Sequence, residues 1–438
     1  MDEPLTMPVL RSPTDPPAEL REIRATLPIT PLWYPDGHVG WLVTSHELAR
    51  AVLGDRRFSM QPMRSPVGEP ERLAEVFDQT RVELGFPDEV HQVFERVKAQ
   101  GCPVAHATVD PVVVDVMRNA PPPGTGGLIG LDPPHHSRQR RALAALFSPK
   151  RVARHRPLVE MLIARQLGIV EEAGPPADLV EAFAMPLTMS VITSLLGAEP
   201  ADIPSFAPAV ETRQDLESGS DAIVETMRAF RQFALELVLR RRKQPGPDLL
   251  SDLIRDTDLD DDELVNVVTQ LFSAGFDTTA NMLSLAVFTL LHDRARWVRL
   301  RADDSLVPRA LEEILRYVTL IQVGTFSRTA LEDVEIGGVA VRAGTSVTVS
   351  LAAANRDPLA FDDPETLDLS RAATGHLSFG YGIHQCLGQH LARLELTAAV
   401  TALMRRFPEL RLAAGEDEIR FHRGDRQTYG MQELPVTW

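Results

Sequence analysis

One ten-residue stretch constrains this chain more than any other: Phe379-Gly380-Tyr381-Gly382-Ile383-His384-Gln385-Cys386-Leu387-Gly388. It sets a cysteine in a glycine-punctuated loop just ahead of an amphipathic helix, predicted over Leu387 to Phe407. Gly380, Gly382 and Gly388 withhold side chains where a flat group can lie against backbone. A thiolate at a helix N-terminus is favoured by the positive end of the helix dipole and by nearby N–H groups. The chain holds two cysteines, and the other, Cys102, is far away in sequence, so no disulfide framework is expected. Zinc fits poorly, because His384 and Cys386 lack further ligands at zinc spacing. Two readings of the thiol stand side by side. It is an inert buried cysteine, or it is an axial ligand for haem iron, where a thiolate pushes electron density toward O–O cleavage. The residue types at fixed offsets around Cys386 favour the ligand.

The pattern Phe-Gly-x-Gly-x-His-x-Cys-x-Gly resembles the haem-ligand loop of the cytochrome P-450 family. Four further segments extend the resemblance. Ala274-Gly275-Phe276-Asp277-Thr278 is similar to the family's central-helix motif. A glycine in mid-helix costs up to about 1 kcal/mol relative to alanine, so it calls for a reason. Glu313-Ile314-Leu315-Arg316 places an acid and a base three apart on one helix face, with Arg371 standing where the family has their partner. Asp132-Pro133-Pro134-His135-His136-Ser137-Arg138-Gln139-Arg140 puts His136 and Arg140 four apart on one helix face. Phe326-Ser327-Arg328 follows as a short strand.

The resemblance implies a function for each of these residues. Cys386 is the iron ligand of haem b, within a loop that includes Phe379, Gly380 and Gly388. His136, Arg140, Arg328 and His384 bind its propionates. Thr278 hydrogen-bonds dioxygen and Asp277 relays protons from solvent, as cleavage of O–O to water requires. Glu313, Arg316 and Arg371 hold the fold on the cysteine side. The pocket is expected to include Leu271, Ala274, Gly275, Gly324, Phe326, Gly430 and Met431, with dioxygen beneath Gly275 and Thr278. That lining is largely apolar, as ligand pockets usually are.

The same resemblance implies a monooxygenase that places one oxygen atom of O2 in a hydrophobic small molecule, as an intermediate of natural-product biosynthesis. Electrons are expected from an NAD(P)H reductase through an acidic ferredoxin, which Arg138 and Arg141 face, since the chain shows no nucleotide-binding glycine fingerprint. A peroxide-driven peroxygenase is the rival enzyme, and Asp277-Thr278 argues against it. A non-catalytic haem sensor is the rival binding protein, and no segment is left over for an output domain.

The implied fold is mainly α with small β-sheets, a long central helix crossing over the haem. A single domain over 1–438 is expected, with an enlarged lid region at 60–130, where the chain is longer than typical bacterial members. The net charge of −16 argues against nucleic acid as a partner. Met1-Asp2-Glu3-Pro4 opens no signal sequence, and the run Met282 to Leu291 is short of a membrane span, so a cytoplasmic protein with no membrane partner is expected.

Helices are predicted at Ser45–Leu53 with Ser45 as N-cap, Pro87–Ala99, Pro134–Leu146, 151–173, 177–196, 221–243 and Val307–Val318. The central helix is predicted from Asp260 to about His292, roughly 45 Å long. Strands are predicted at Val39–Val43, Phe326–Arg328, Val334–Ile336 and Ser346–Ser350, and residues 1–35 are expected to be irregular. The basic run Arg240 to Lys243 reads as a solvated helix face.

Overall fold

The computed structural model describes residues 5–8, 11–34, 38–60, 127–199, 202, 220–322, 327–422 and 428–438. The predicted helix Pro87–Ala99, most of the 60–130 lid region, Cys102, Gly324 and Phe326 lie outside the described residues.

The N-terminal part is more regular than its prolines suggest. Strand β1 (Leu5–Thr6), helix α1 (Ala18–Thr26) and strand β2 (Ile29–Trp33) replace the expected irregular stretch. Pro31 is tolerated within β2 because, among the described residues, β1 pairs only with Leu32 and Trp33, so Pro31 has a strand neighbour there on one side alone. Strand β3 (Val39–Val43) follows, then helix α2 (His46–Gly54), whose N-cap Ser45 accepts from the Leu48 N–H. Strand β4 (Phe58–Ser59) ends this section.

After residue 127 helices dominate. They are α3 (His135–Ala144), α4 (Arg156–Ala173), α5 (Met185–Leu196), α6 (Ser220–Lys243) and α7 (Leu249–Asp256). The segment predicted as one helix over 177–196 is instead a strand, β5 (Ala177–Asp178), a wide π-type turn at Val180–Ala184, and then α5. Pro186 explains part of this. It has no N–H to give the carbonyl four residues earlier, and the Gln166 side chain donates to that Ala182 carbonyl at 2.7 Å instead. The basic run is a solvated face only in part: Arg242, paired with Asp261, and Lys243 are exposed, while Arg240 and Arg241 are half-buried and pair with Asp202 and Asp248.

The central helix is two helices. Helix α8 (Asp261–Gly275) begins with a capping box between Asp260 and Glu263, and α9 (Asp277–His292) continues it after a break at Phe276, where φ is −83° and ψ −69°. Together they are long and apolar enough to cross a membrane by length and composition. Yet 83% of their most apolar window is buried inside the fold, the mark of a core element.

Helix α10 (Arg294–Ala302) and α11 (Val307–Val318) precede strands β6 (Ser327–Ala330), β7 (Val334–Ile336), β8 (Val339–Val341) and β9 (Ser346–Val349). Helix α12 (Gln389–Arg406) and strands β10 (Arg411–Leu412) and β11 (Pro435–Thr437) close the chain. One sheet runs β1-β2-β3-β9-β6-β4, a second β10-β11-β5, and β7–β8 is a hairpin turned at Gly337-Gly338. The main core gathers α4, α5, α8, α9, α11 and α12, while a smaller one lies under the large sheet. The cysteine loop sits between them, at the head of α12.

Candidate active site

The loop is built by backbone. Cys386 N–H donates to the Phe379 carbonyl at 2.7 Å, and Gly380 N–H to Leu377 at 2.7 Å. Gly380 and Gly382 adopt φ of 70° and 75°, open to glycine at little cost. A Cβ on Gly382 would also lie 2.2 Å from the Leu53 carbonyl oxygen, so α2 closes on the loop only if position 382 is glycine. At Gly388 a Cβ would meet nothing within 4 Å, which leaves that face of the loop clear.

The Cys386 side chain is exposed, yet it lies deep within the protein. The two observations agree if the thiol stands at the floor of a cleft. Burial pushes the thiol above its ordinary value. The N–H groups of Gly388 and Gln389 and the charges of Arg140 and Arg393 act the other way. Arg393 also stands 4.4 Å over the Phe379 ring.

Four predicted anchors converge near this floor. His136 on α3 and His384 in the loop bring their rings to 4.2 Å between centroids. Both ring nitrogens of His136 and Nε2 of His384 are buried without a hydrogen-bond partner among the described residues. Burial, then His136, Arg328 and Arg140, lower His384 to about 3. Burial also lowers Arg328, on β6, to about 10, with Asp132 opposing. Buried histidine nitrogens with no partner among the described residues, beside the Arg140 and Arg328 guanidinium groups, suit an anion. The carboxylates of a flat cofactor supply it, and the clear face at Gly388 and the open thiol supply its bed and its ligand. The residues present fit haem.

On the central helix, Leu271 and Thr278 are half-buried and Ala274 is exposed, all on one helix face. Thr278 Oγ1 donates to the Ala274 carbonyl at 2.7 Å across the break between α8 and α9. Gly275 departs from expectation. Its missing Cβ points at Ile192 of α5, 3.4 Å from Cδ1, because position 275 is rotated away from the Ala274–Thr278 face. Gly430 and Met431 lie in the C-terminal segment. Both are buried, Gly430 against Asn281 and Met431 in the main core.

Glu313, Arg316 and Arg371 do meet. Arg316 gives a bidentate pair to Glu313 at 2.7 and 2.8 Å with both side chains fully buried, and Arg371 Nε donates to Glu313 at 3.1 Å. Arg138 does not stand free for a partner, for it pairs with Glu263 and Asp258 at the start of α8, while Arg141 is exposed.

Some contributors were missed. Asn355 takes the Leu377 N–H at 2.6 Å and donates to Ser378 at 2.9 Å, fixing the entry to the cysteine loop. Asn281 and Thr428 both hold Asp277. Nothing in the local sequence marks Thr428.

Glu312 ties α11 to this region through His376 at 3.1 Å and Arg393 at 2.6 Å. Burial opposes its ionisation, but these partners prevail and lower it from 4.5 to about 2. A depressed acid stabilises the fold fully above about pH 4.5, and that contribution is lost as pH falls toward 2. After a discount for solvent screening it is worth about 2 kcal/mol. Glu312→Gln is therefore expected to lower the melting temperature at pH 7 and to narrow its gap to wild type below pH 4. A constant gap across acid titration would contradict the assignment.

The fold and this cleft together define a haem-thiolate protein. Comparison with known proteins agrees. The family described as "Cytochrome P450" matches residues 209–428. Pentalenic acid synthase of Streptomyces avermitilis is 38% identical over 97% of this chain and 95% of its own length. Nocardicin C N-oxygenase of Nocardia uniformis is 37% identical over 95% and 94%. The crystal structure of cytochrome P450 MoxA from Nonomuraea recticatena superposes with a TM-score of 0.81 at 36% identity, covering 99% of this chain and 98% of that one. The chain belongs to the cytochrome P450 family. Its cofactor is haem b, and it is an oxidoreductase that incorporates molecular oxygen.

Proposed function

We propose that this protein places one oxygen atom of O2 in a hydrophobic natural-product intermediate, by hydroxylation or epoxidation. It acts in the cytoplasm, with electrons from NAD(P)H passing through a reductase and an acidic ferredoxin. The observation that carries the reading is the exposed Cys386 thiol at the head of α12, with His136, Arg140, Arg328 and His384 grouped near it. The names of two relatives, a pentalenic acid synthase and a nocardicin C N-oxygenase, support tailoring of natural products.

Bound haem supplies dioxygen activation and oxygen-atom transfer. The chain's residues do the rest. Cys386 would ligate the iron, aided by the N–H groups of Gly388 and Gln389. His136, Arg140, Arg328 and His384 would hold the propionates. Leu271 and Ala274 give the cleft an apolar wall and exclude water. Thr278 commits its one proton to Ala274, so it offers the cleft acceptor lone pairs and orders a proton donor there. Asp277 links that position to the protein's proton supply.

Thr278→Ala is expected to retain haem and substrate affinity while product per NAD(P)H falls about tenfold or more, the electrons going to peroxide. Simultaneous assay of NAD(P)H, peroxide and product checks this. Unchanged coupling would remove Thr278 from the mechanism. Discovery of the substrate itself follows from spin-state titration against apolar natural products.

A further inference from the structure

Asp277 does not sit loose at the start of α9. Asn281, one turn on, donates through Nδ2 to Asp277 Oδ1 at 2.9 Å and to its carbonyl at 3.0 Å. Thr428, from the C-terminal segment, donates through Oγ1 to Oδ2 at 2.7 Å. All three side chains are buried. Gly430 makes this approach possible, since a Cβ there would lie 1.8 Å from Asn281 Oδ1.

Thr428 is itself held. It bridges to Ile321, and the next N–H, of Tyr429, donates to the Leu320 carbonyl at 2.8 Å. The Tyr429 hydroxyl donates to the Pro13 carbonyl at 3.1 Å, and the Arg11 guanidinium lies 4.2 Å over its ring. Arg11 also donates to the Thr319 carbonyl at 2.8 Å. The N-terminal segment therefore straps the C-terminal segment down onto α9.

We propose that Thr428 is a positioning residue for proton delivery: its hydroxyl, with Asn281, fixes the Asp277 carboxylate next to the Thr278 face, and the Arg11–Tyr429 contact fixes Thr428. This rests on the reading of Asp277 as a proton relay. A carboxylate gripped on both oxygens keeps one geometry, and a relay depends on geometry more than on the presence of an acid. Nothing in the local sequence pairs positions 277 and 428. The pairing exists only because strand β11 and the residues before it return to the central helix.

The test uses full-length haem-loaded protein and needs no substrate. Wild type, Asp277→Asn, Thr428→Val and Thr428→Ser are reduced with dithionite, and their reoxidation in air is followed in H2O and D2O. In parallel, the infrared carboxylate band of Asp277 is isolated by subtracting the Asp277→Asn spectrum. Thr428→Val is expected to shift that band and to change the reoxidation rate about threefold or more, the scale of one net hydrogen bond, in the same direction as Asp277→Asn. Thr428→Ser is expected to restore both. Arg11→Gln is expected to act in the same direction with a smaller effect.

A Thr428→Val protein with wild-type reoxidation and an unmoved band would overturn the proposal. If Asp277→Asn itself reoxidises like wild type while the band still shifts in Thr428→Val, the contact stands but the relay reading fails, and the positioning role falls with it. Should Thr428→Val not fold, Thr428→Ala, which removes the same hydroxyl with less bulk, carries the same two measurements.

Discussion

Cys386→Ala is expected to fold, to lose the red-shifted carbon-monoxide band of thiolate-ligated haem, and to lose oxygen transfer. The loop is held by backbone bonds and by Gly380 and Gly382, none of which involves the Cys386 sulfur. Its thermal stability without haem should therefore stay close to that of wild type. The loss falls on chemistry. Without the thiolate no other described side chain supplies electron density on that face, since His384 sits among the basic anchors and Arg140 and Arg393 are cationic. Product formation is expected to fall to about a thousandth of wild type or less, some 4 kcal/mol in barrier height. Retention of the thiolate band in this variant would mean that another residue binds the iron.

Arg316→Ala is expected to cost the fold about 3–5 kcal/mol, as the loss of one partner of a buried ion pair does. The guanidinium fills several needs at once. It neutralises Glu313, and its Nη1 satisfies the carbonyls of Asn355 at 2.8 Å and Pro364 at 3.0 Å. Removing it leaves a buried carboxylate with Arg371 as its remaining cation and strips two carbonyls of a donor. Arg316→Lys restores the charge but not the planar fork, so it should recover less than half of the loss. Urea denaturation of the haem-loaded protein measures both. A cost below about 1 kcal/mol for Arg316→Ala would contradict the packing role, because that is the range of an exposed pair.

The parts of this account that were legible in sequence share one property: their residues are close along the chain, or sit in runs with fixed offsets. The cysteine loop was readable because Gly380 and Gly382 are needed at positive φ and Gly388 where no side chain intrudes. Glu313 and Arg316 were readable because three residues make one helix face. The mainly helical class with small sheets was also legible, and the structure and its relatives bear it out. The failures have physical causes too. Proline richness hid α1 and β2, because Pro31 needs only one strand neighbour. The composition of residues 260–292 reads as one helix, and the break at Phe276, which the Thr278 to Ala274 side-chain bond spans, carries no compositional signal. Which way Gly275 faces carries no local signal, and only the position of Ile192 shows where its Cβ would point. Asn281 and Thr428 carry no local signal, since their partner is Asp277 across the fold.

The most direct test of the whole account is the reduced, carbon-monoxide-bound difference spectrum of the purified wild-type protein. The account predicts a red-shifted Soret band typical of thiolate-ligated haem, lost in Cys386→Ala. Haem bound without that band, or a well-folded protein that takes up no haem when it is supplied, would contradict the assignment of Cys386 and the function built on it.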